Sequence, residues 1–93
     1  MNFIKEKNRI YLENKEGKII AEITFEEIQG GVYNINHTFV DETLRGQGIA
    51  SRLVEEAVKE IEARGAKVTA TCSYASKWLE KNKSIGEENL CQD

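Results

Sequence analysis

The sequence lacks the features of several protein classes. No apolar run in its 93 residues approaches the roughly 20 residues that a membrane span requires. Thirteen basic and sixteen acidic side chains give a formal net charge of −3, without a basic stripe or an arginine-rich tail. The two cysteines, Cys72 and Cys91, lack the spacing of metal ligands. These absences argue against a membrane protein, a nucleic-acid-binding protein and a metal centre.

The first residues, Met1 to Asn8, also lack the apolar core of a signal peptide. We therefore expect a cytosolic protein whose cysteines stay free thiols in a reducing compartment. The length predicts one small domain over residues 1–93, with room for a single hydrophobic core.

The hydrophobic period changes from two to 3.6 and back along the chain. Alternation typical of strands occurs in five segments: residues 2–6, 9–13, 18–27, 32–40 and 67–71. A helical period occurs in two segments, about 47–64 and 74–81. Gly65 would end the first helix, and Ser73 is the expected N-cap of the second. Because a helix connects the fourth strand to the fifth by a right-handed crossover, these two strands are predicted to run parallel.

Strict alternation in the segment 32–40 predicts the two faces of that strand. One face would carry Tyr33, Ile35, His37 and Phe39. The other would carry Val32, Asn34, Asn36, Thr38 and Val40. We expect the aromatic side chains of Tyr33 and Trp78 to pack in the core rather than against a ligand.

The segment between the fourth strand and the first helix has the composition of an anion-binding loop. Gly46, Gly48 and Ala50 carry little or no side chain, so a phosphate can approach the main chain. The first turn of the following helix adds unpaired N–H groups and the positive end of the helix dipole. We therefore predict a pyrophosphate site. A glycine turn that merely leads into a surface helix is the alternative.

Three kinds of phosphate loop compete for this segment. A P-loop requires Lys and then Ser or Thr after its last glycine, whereas Ile49 and Ala50 follow Gly48 here. A dinucleotide fingerprint requires a third glycine where Ser51 stands. The pattern Arg/Gln-x-x-Gly-x-Gly/Ala is met in full by Arg45-Gly-Gln-Gly-Ile-Ala. On these residues the chain resembles the GNAT superfamily of acetyl-CoA-dependent N-acetyltransferases.

The resemblance covers roughly residues 16–82 and implies binding of acetyl-CoA or CoA. It implies a single small GNAT-like domain of α/β (α+β) class, with a mixed, mostly antiparallel sheet in the order ββββαβα and a parallel strand pair splayed around the cofactor. The residues that would hold the cofactor are Thr38, Phe39, Val40, Arg45, Gly46, Gln47, Gly48, Ile49, Ala50 and Ser51. Larger GNAT enzymes carry further helices and strands that form the acceptor pocket. The chain is similar instead to a subfamily of very small GNAT-like proteins, which keep a His-Thr at the fourth strand and a Cys-x-Tyr after the fifth.

Cys72 and His37 are the candidate catalytic residues. Cys72 follows the fifth strand and precedes a helix N-terminus, whose dipole lowers the pKa of a thiol. His37, the only histidine, lies three residues before Val40 and could act as a base or as the partner of a thiolate. We expect an acyltransferase that moves an acetyl group to an unknown small-molecule or protein amine or thiol, either through Cys72 or directly. Packing roles for both residues, and a CoA-binding, sensor or interaction module without turnover, are the alternatives.

One position departs from the pattern of the larger family. Aligning Cys72-x-x-Ala75 with the family's Asn-x-x-Ala places Leu79 where a tyrosine usually protonates the leaving CoA thiolate. Tyr74 is close in sequence, but it need not point inward, because a helix turns by about 100° per residue. The sequence therefore leaves the proton donor unassigned.

Overall fold

The computed structural model describes residues 3–82, in which two helices cover one face of a five-stranded sheet. The strands lie side by side in chain order: β1 (Ile4–Lys5), β2 (Arg9–Glu13), β3 (Ile19–Gln29), β4 (Val32–Val40) and β5 (Lys67–Ala70). β1 to β4 pair antiparallel, and β5 runs parallel to β4. Between β4 and β5 lie a short 3₁₀ helix (Glu42–Leu44) and α1 (Ile49–Ala63), and α2 (Ser73–Asn82) follows β5. The expected α+β class, the order ββββαβα and the parallel pair are confirmed.

The predicted bounds of β2 and β4 are confirmed, and the two helices start elsewhere than expected. α1 begins at Ile49 rather than at position 47, because Gly46 and Gly48 hold left-handed φ angles of 82° and 72°. In α2 the carbonyl of Cys72 accepts the N–H of Ser76 at 2.9 Å, so Ser73 is the first helical residue. Its assignment as the N-cap was wrong by one position. Cys91 lies outside the described residues.

The core lies between α1 and the sheet face that α1 covers. The apolar stripe of α1 is buried as its period predicts: Ile49, Leu53, Val54, Ala57 and Ile61. It packs against side chains of β2, β3, β4 and α2: Ile10, Leu12, Ala21, Ile23, Phe25, Ile35 and Ala75. Tyr33 and Trp78 pack against this cluster, as expected. At roughly 1.5–3 kcal/mol for each buried aliphatic or Phe side chain, this cluster is the main source of stability.

A β-bulge interrupts β4 at its middle. Thr24 of β3 faces His37, whereas the next residue, Phe25, faces Ile35, so Asn36 is the extra residue on β4. The side chains of Thr24 and Asn36 are joined by a hydrogen bond of 2.6 Å between their oxygens. Because residues directly opposite each other point to the same face, His37 lies with Thr24 on the uncovered face.

The bulge reverses the predicted faces of the second half of β4. Thr38 and Val40 face Ile23 and Ala21 across the pair and therefore point to the side that α1 covers. His37 and Phe39 point to the uncovered side. The prediction that Ile35 and His37 share a face was wrong, because one inserted residue shifts the alternation by one step.

Within residues 3–82, no helix combines the length and the apolar character that crossing a bilayer would require.

Candidate cofactor site

The loop between β4 and α1 lines an open pocket of about 390 Å³. Eight of the predicted cofactor-binding residues line it: Thr38, Val40, Arg45, Gly46, Gly48, Ile49, Ala50 and Ser51. Gln47 and Phe39 do not line it, and the side chain of Phe39 is exposed on the opposite face of the sheet. Leu44 and Tyr74 complete the lining. The fold thus brings most of the predicted residues around one space, while their contact with a cofactor remains a prediction.

Consecutive backbone N–H groups of this loop have no acceptor among residues 3–82. The N–H of Arg45 donates to the carbonyl of Glu42 at 3.2 Å, and the N–H of Arg52 donates to the carbonyl of Gly48 at 3.1 Å. Between these two bonds, the N–H groups of residues 46–51 are unpaired. Gly48 is the N-cap of α1 and has no side chain to bond them. A row of free donors at the positive end of a helix dipole is an arrangement that binds anions.

The glycines keep this row of donors open. A Cβ on Gly46 or Gly48 would meet no protein atom within 4 Å, so the space beside the loop is free for a ligand. Both left-handed φ angles would strain any residue that carries a side chain. Arg45 is exposed and forms no ion pair within the described part of the chain, so its guanidinium is available to the same anion.

Cys72 lies where β5 separates from β4. The last paired residues of the two strands are Ile35 and Ala70, and beyond them β4 pairs only with β3. The N–H of Cys72 donates to the carbonyl of Ile35 at 3.2 Å. Its thiol donates to the hydroxyl of Thr38, with 3.4 Å between Sγ and Oγ1. Because β5 ends at Ala70, the second half of β4 has a gap on that side, and Cys72 is tied to the pocket through Thr38; the splay of the two strands stays a prediction.

The surroundings of Cys72 stabilise its thiolate. Burial raises the pKa of the thiol, but the ionised sulfur can accept hydrogen bonds from the Thr38 hydroxyl and from the N–H groups of Ala75 and Tyr74, which lower it, and the resulting pKa lies below the ordinary value. The two N–H donors belong to the first turn of α2. The start of a helix thus acts on the thiol in the direction that the sequence suggested, since its free donors favour the charged form.

The structure does not bring His37 to Cys72. His37 is exposed on the uncovered face, whereas Cys72 bonds to Thr38 on the face that the helices cover. Among residues 3–82 the imidazole has no hydrogen-bond partner. Thr38, the second residue of the His-Thr pair, is the thiol's partner in its place. The interpretation of His37 as the partner of the thiolate was therefore wrong, because the bulge turns its side chain to the other face, while its role as a base stays a prediction.

Tyr74 is a pocket residue that the sequence analysis did not place. It lies in the first turn of α2 and lines the pocket, and the residue is 42% exposed. Leu79, which aligns with the usual tyrosine, is half-buried further along α2. Tyr74 therefore supplies the phenol hydroxyl beside the loop. Groups of three or more His, Cys, Asp or Glu that could hold a metal ion are absent from residues 3–82.

Comparisons with known proteins agree with this geometry. The family described as GCN5-related N-acetyl-transferase matches residues 9–88. A solution structure of a GCN5-like candidate N-acetyltransferase from Staphylococcus aureus is similar, with 30% identity and a TM-score of 0.77, over 99% of this chain and 90% of that one. An acetyltransferase from Bacillus cereus is 25% identical with a TM-score of 0.60, over 67% of this chain and 44% of its own.

A GNAT family N-acetyltransferase from Escherichia coli, whose crystal structure contains CoA, is 28% identical with a TM-score of 0.55. That match covers 62% of this chain and 35% of the E. coli chain. The chain therefore spans nearly all of the small S. aureus protein and less than half of the two larger ones. No match is found among curated proteins.

Proposed function

Because the chain belongs to the GCN5-related N-acetyltransferase (GNAT) family, we propose that its pocket binds acetyl-CoA and CoA. The observation that carries this proposal is the row of unpaired N–H groups at residues 46–51, which a pyrophosphate would satisfy. Arg45 adds a free positive charge beside the row. The bound CoA of the E. coli relative supports the same ligand here.

In this proposal the gap beside β4 holds the pantetheine arm. β5 pairs with β4 only as far as Ile35, so the main chain of residues 38–40 has no parallel neighbour and can bond an extended ligand. The thioester would then lie near Thr38 and Cys72, at the point where the strands separate. A cytosolic location fits the proposal, since a reducing compartment keeps Cys72 a free thiol.

The proposed activity is acetyl transfer to an amine or thiol, with Cys72 as the nucleophile. The thiolate of Cys72 would attack the carbonyl carbon of the thioester, the carbon–sulfur bond to CoA would break, and the acetyl group would pass to Sγ. Of the hydroxyls among the pocket residues Thr38, Ser51 and Tyr74, the phenol of Tyr74 is the most acidic and would protonate the departing CoA sulfur. The acceptor would then take the acetyl group from Sγ and restore the thiolate, and His37 would take the acceptor's proton.

A second candidate function is CoA binding without turnover. The separation of His37 from Cys72 favours it, because a base that does not touch the nucleophile cannot activate it directly. The chain also spans less than half of the two larger acetyltransferases, and the resemblance to GNAT enzymes implies that the further elements of such enzymes form the acceptor pocket.

Mass spectrometry after incubation with acetyl-CoA tests both candidates. The native spectrum reports bound CoA, and the digested protein reports an acetyl group on the peptide that contains Cys72. We expect the adduct in the wild type and in Cys91→Ser, and not in Cys72→Ala. Bound CoA without an adduct, and without acetylation of any amine or thiol offered, would support the binding module. Absence of bound CoA would refute the proposal.

A further inference from the structure

A hydrogen bond connects α2 to the first turn of α1 at the pocket. The indole Nε1 of Trp78 donates to Oγ of Ser51, with 2.9 Å between the two atoms. Ser51 lines the pocket and is the last residue of the row whose N–H groups are unpaired. Tyr74, one turn before Trp78 on the same side of α2, also lines the pocket. One side of α2 thus forms a wall of the pocket and also contacts the donor row.

The direction of this bond determines what Ser51 can still do. An indole N–H only donates, and a serine hydroxyl has one hydrogen to donate and two lone pairs that accept. Trp78 therefore engages a lone pair of Ser51 and leaves the hydroxyl hydrogen free. No acceptor for that hydrogen is present among residues 3–82. An acceptor for this hydrogen can still approach the Ser51 hydroxyl from the pocket.

We infer that Trp78 is a positioning residue for the cofactor: it holds the Ser51 hydroxyl so that its O–H joins the N–H groups of residues 46–51 in donating to the pyrophosphate. This inference rests on the proposed binding of CoA. It gives Trp78 a role that core packing does not require, because packing would be served by any side chain of similar shape. Since Trp78 is the only tryptophan, its fluorescence should also change when the pocket is filled.

The test compares the affinities of CoA and pantetheine in three variants, measured by titration calorimetry. Trp78→Phe keeps an aromatic ring but removes the N–H, Ser51→Ala removes the hydroxyl, and the third variant combines both. We expect CoA affinity to fall about 10-fold in Ser51→Ala, as the loss of one charge-assisted hydrogen bond does, and by about as much in Trp78→Phe, because the hydroxyl is then no longer held toward the pyrophosphate. The double variant should lose little more, because both changes act through the same Ser51 hydroxyl. Pantetheine, which lacks the pyrophosphate, should bind all variants as it binds the wild type.

Two controls keep structural effects apart from positioning. Ser51→Thr retains a hydroxyl and should retain CoA affinity, and the comparison of Ser51→Ala with Ser51→Thr tests the hydroxyl if Trp78→Phe unfolds. Circular dichroism checks that each variant is folded at the temperature of titration. Wild-type CoA affinity in folded Ser51→Ala would overturn the inference, and so would wild-type affinity in folded Trp78→Phe, additive losses in the double variant, or an equal loss for pantetheine. If the wild type itself does not bind CoA, the proposed function fails instead.

Discussion

Replacing Gly48 by alanine should lower both the stability of the fold and the affinity for CoA, for separate physical reasons. Gly48 holds a φ of 72°, a conformation that costs a residue with a Cβ about 1–2 kcal/mol. The added Cβ would meet no protein atom within 4 Å, so no clash adds to this strain. We expect the free energy of unfolding to fall by about 1–2 kcal/mol, which lowers the Tm of a domain of this size by about 5–15 °C.

The effect on CoA affinity should come from the added methyl group, on the side of the loop where the ligand would bind. The methyl group would project into free space beside the unpaired N–H groups of residues 46–51, where we propose that phosphate oxygens bind. Displacing one charge-assisted hydrogen bond costs about 1.5–3 kcal/mol. The affinity for CoA should therefore fall by about 10- to 100-fold, as measured by titration calorimetry below the Tm of the variant.

Gly17 provides a matched control for this substitution. It holds a φ of 81°, a Cβ there would also meet nothing within 4 Å, and it lies in the turn between β2 and β3, outside the pocket. Gly17→Ala should lose about as much stability as Gly48→Ala and bind CoA like the wild type. Equal CoA affinity in Gly48→Ala and the wild type would refute the anion-binding loop. An equal loss of affinity in both variants would show that affinity follows stability instead.

Three further predictions concern the thiol and the imidazole. Thr38→Val removes a hydrogen bond that lowers the pKa of Cys72, so that pKa should rise and alkylation of the thiol by iodoacetamide at pH 7 should slow. Thr38→Ser keeps the hydroxyl and should react like the wild type. An unchanged pH profile of alkylation in Thr38→Val would contradict the assignment of this bond. Cys72 should label before Cys91 at neutral pH, with CoA protecting it, and the peptide masses decide this; first labelling of Cys91 at every pH would return Cys72 to a packing role. His37→Ala, at an exposed position, should slow acetyl transfer by about 10²-fold or more while leaving alkylation of Cys72 unchanged, and wild-type turnover would exclude His37 as the base.

Elements that depend on local pattern were predictable from the sequence. The buried stripe of α1 follows from a 3.6-residue period, because that period determines which side chains share a face of the helix. The bounds of β2 and β4 follow from alternation and from the turn residues that flank them. The free backbone donors of the loop after β4 were predictable because small residues before a helix leave N–H groups unpaired, while the anion they would bind stays a prediction.

Features that depend on pairing between distant segments were not predictable. The bulge at Asn36 exists only relative to β3, where two residues of β4 stand opposite a single residue, and nothing in the local alternation of β4 reveals it. The pocket position of Tyr74 depends on α2 beginning at Ser73 and on how α2 packs beside α1. Both are decided by tertiary contacts, so the sequence predicted most of the residues that line the pocket but gave His37 the wrong neighbour.

Because of the bulge, direct transfer to the acceptor and a covalent relay through Cys72 can be distinguished by measurement. Because Thr38 and His37 are adjacent but point to opposite faces of the sheet, the thiolate is stabilised on the helix-covered side while the imidazole is available on the uncovered side. An acceptor that approaches the thioester from the uncovered side would meet His37 without passing Cys72, and direct transfer would follow. A covalent relay requires the acceptor to reach Sγ through the gap where β4 has no parallel neighbour. Turnover that survives Cys72→Ala but not His37→Ala would therefore indicate direct transfer. The covalent relay predicts the opposite result: turnover is lost in Cys72→Ala, and acetylated Cys72 accumulates in His37→Ala.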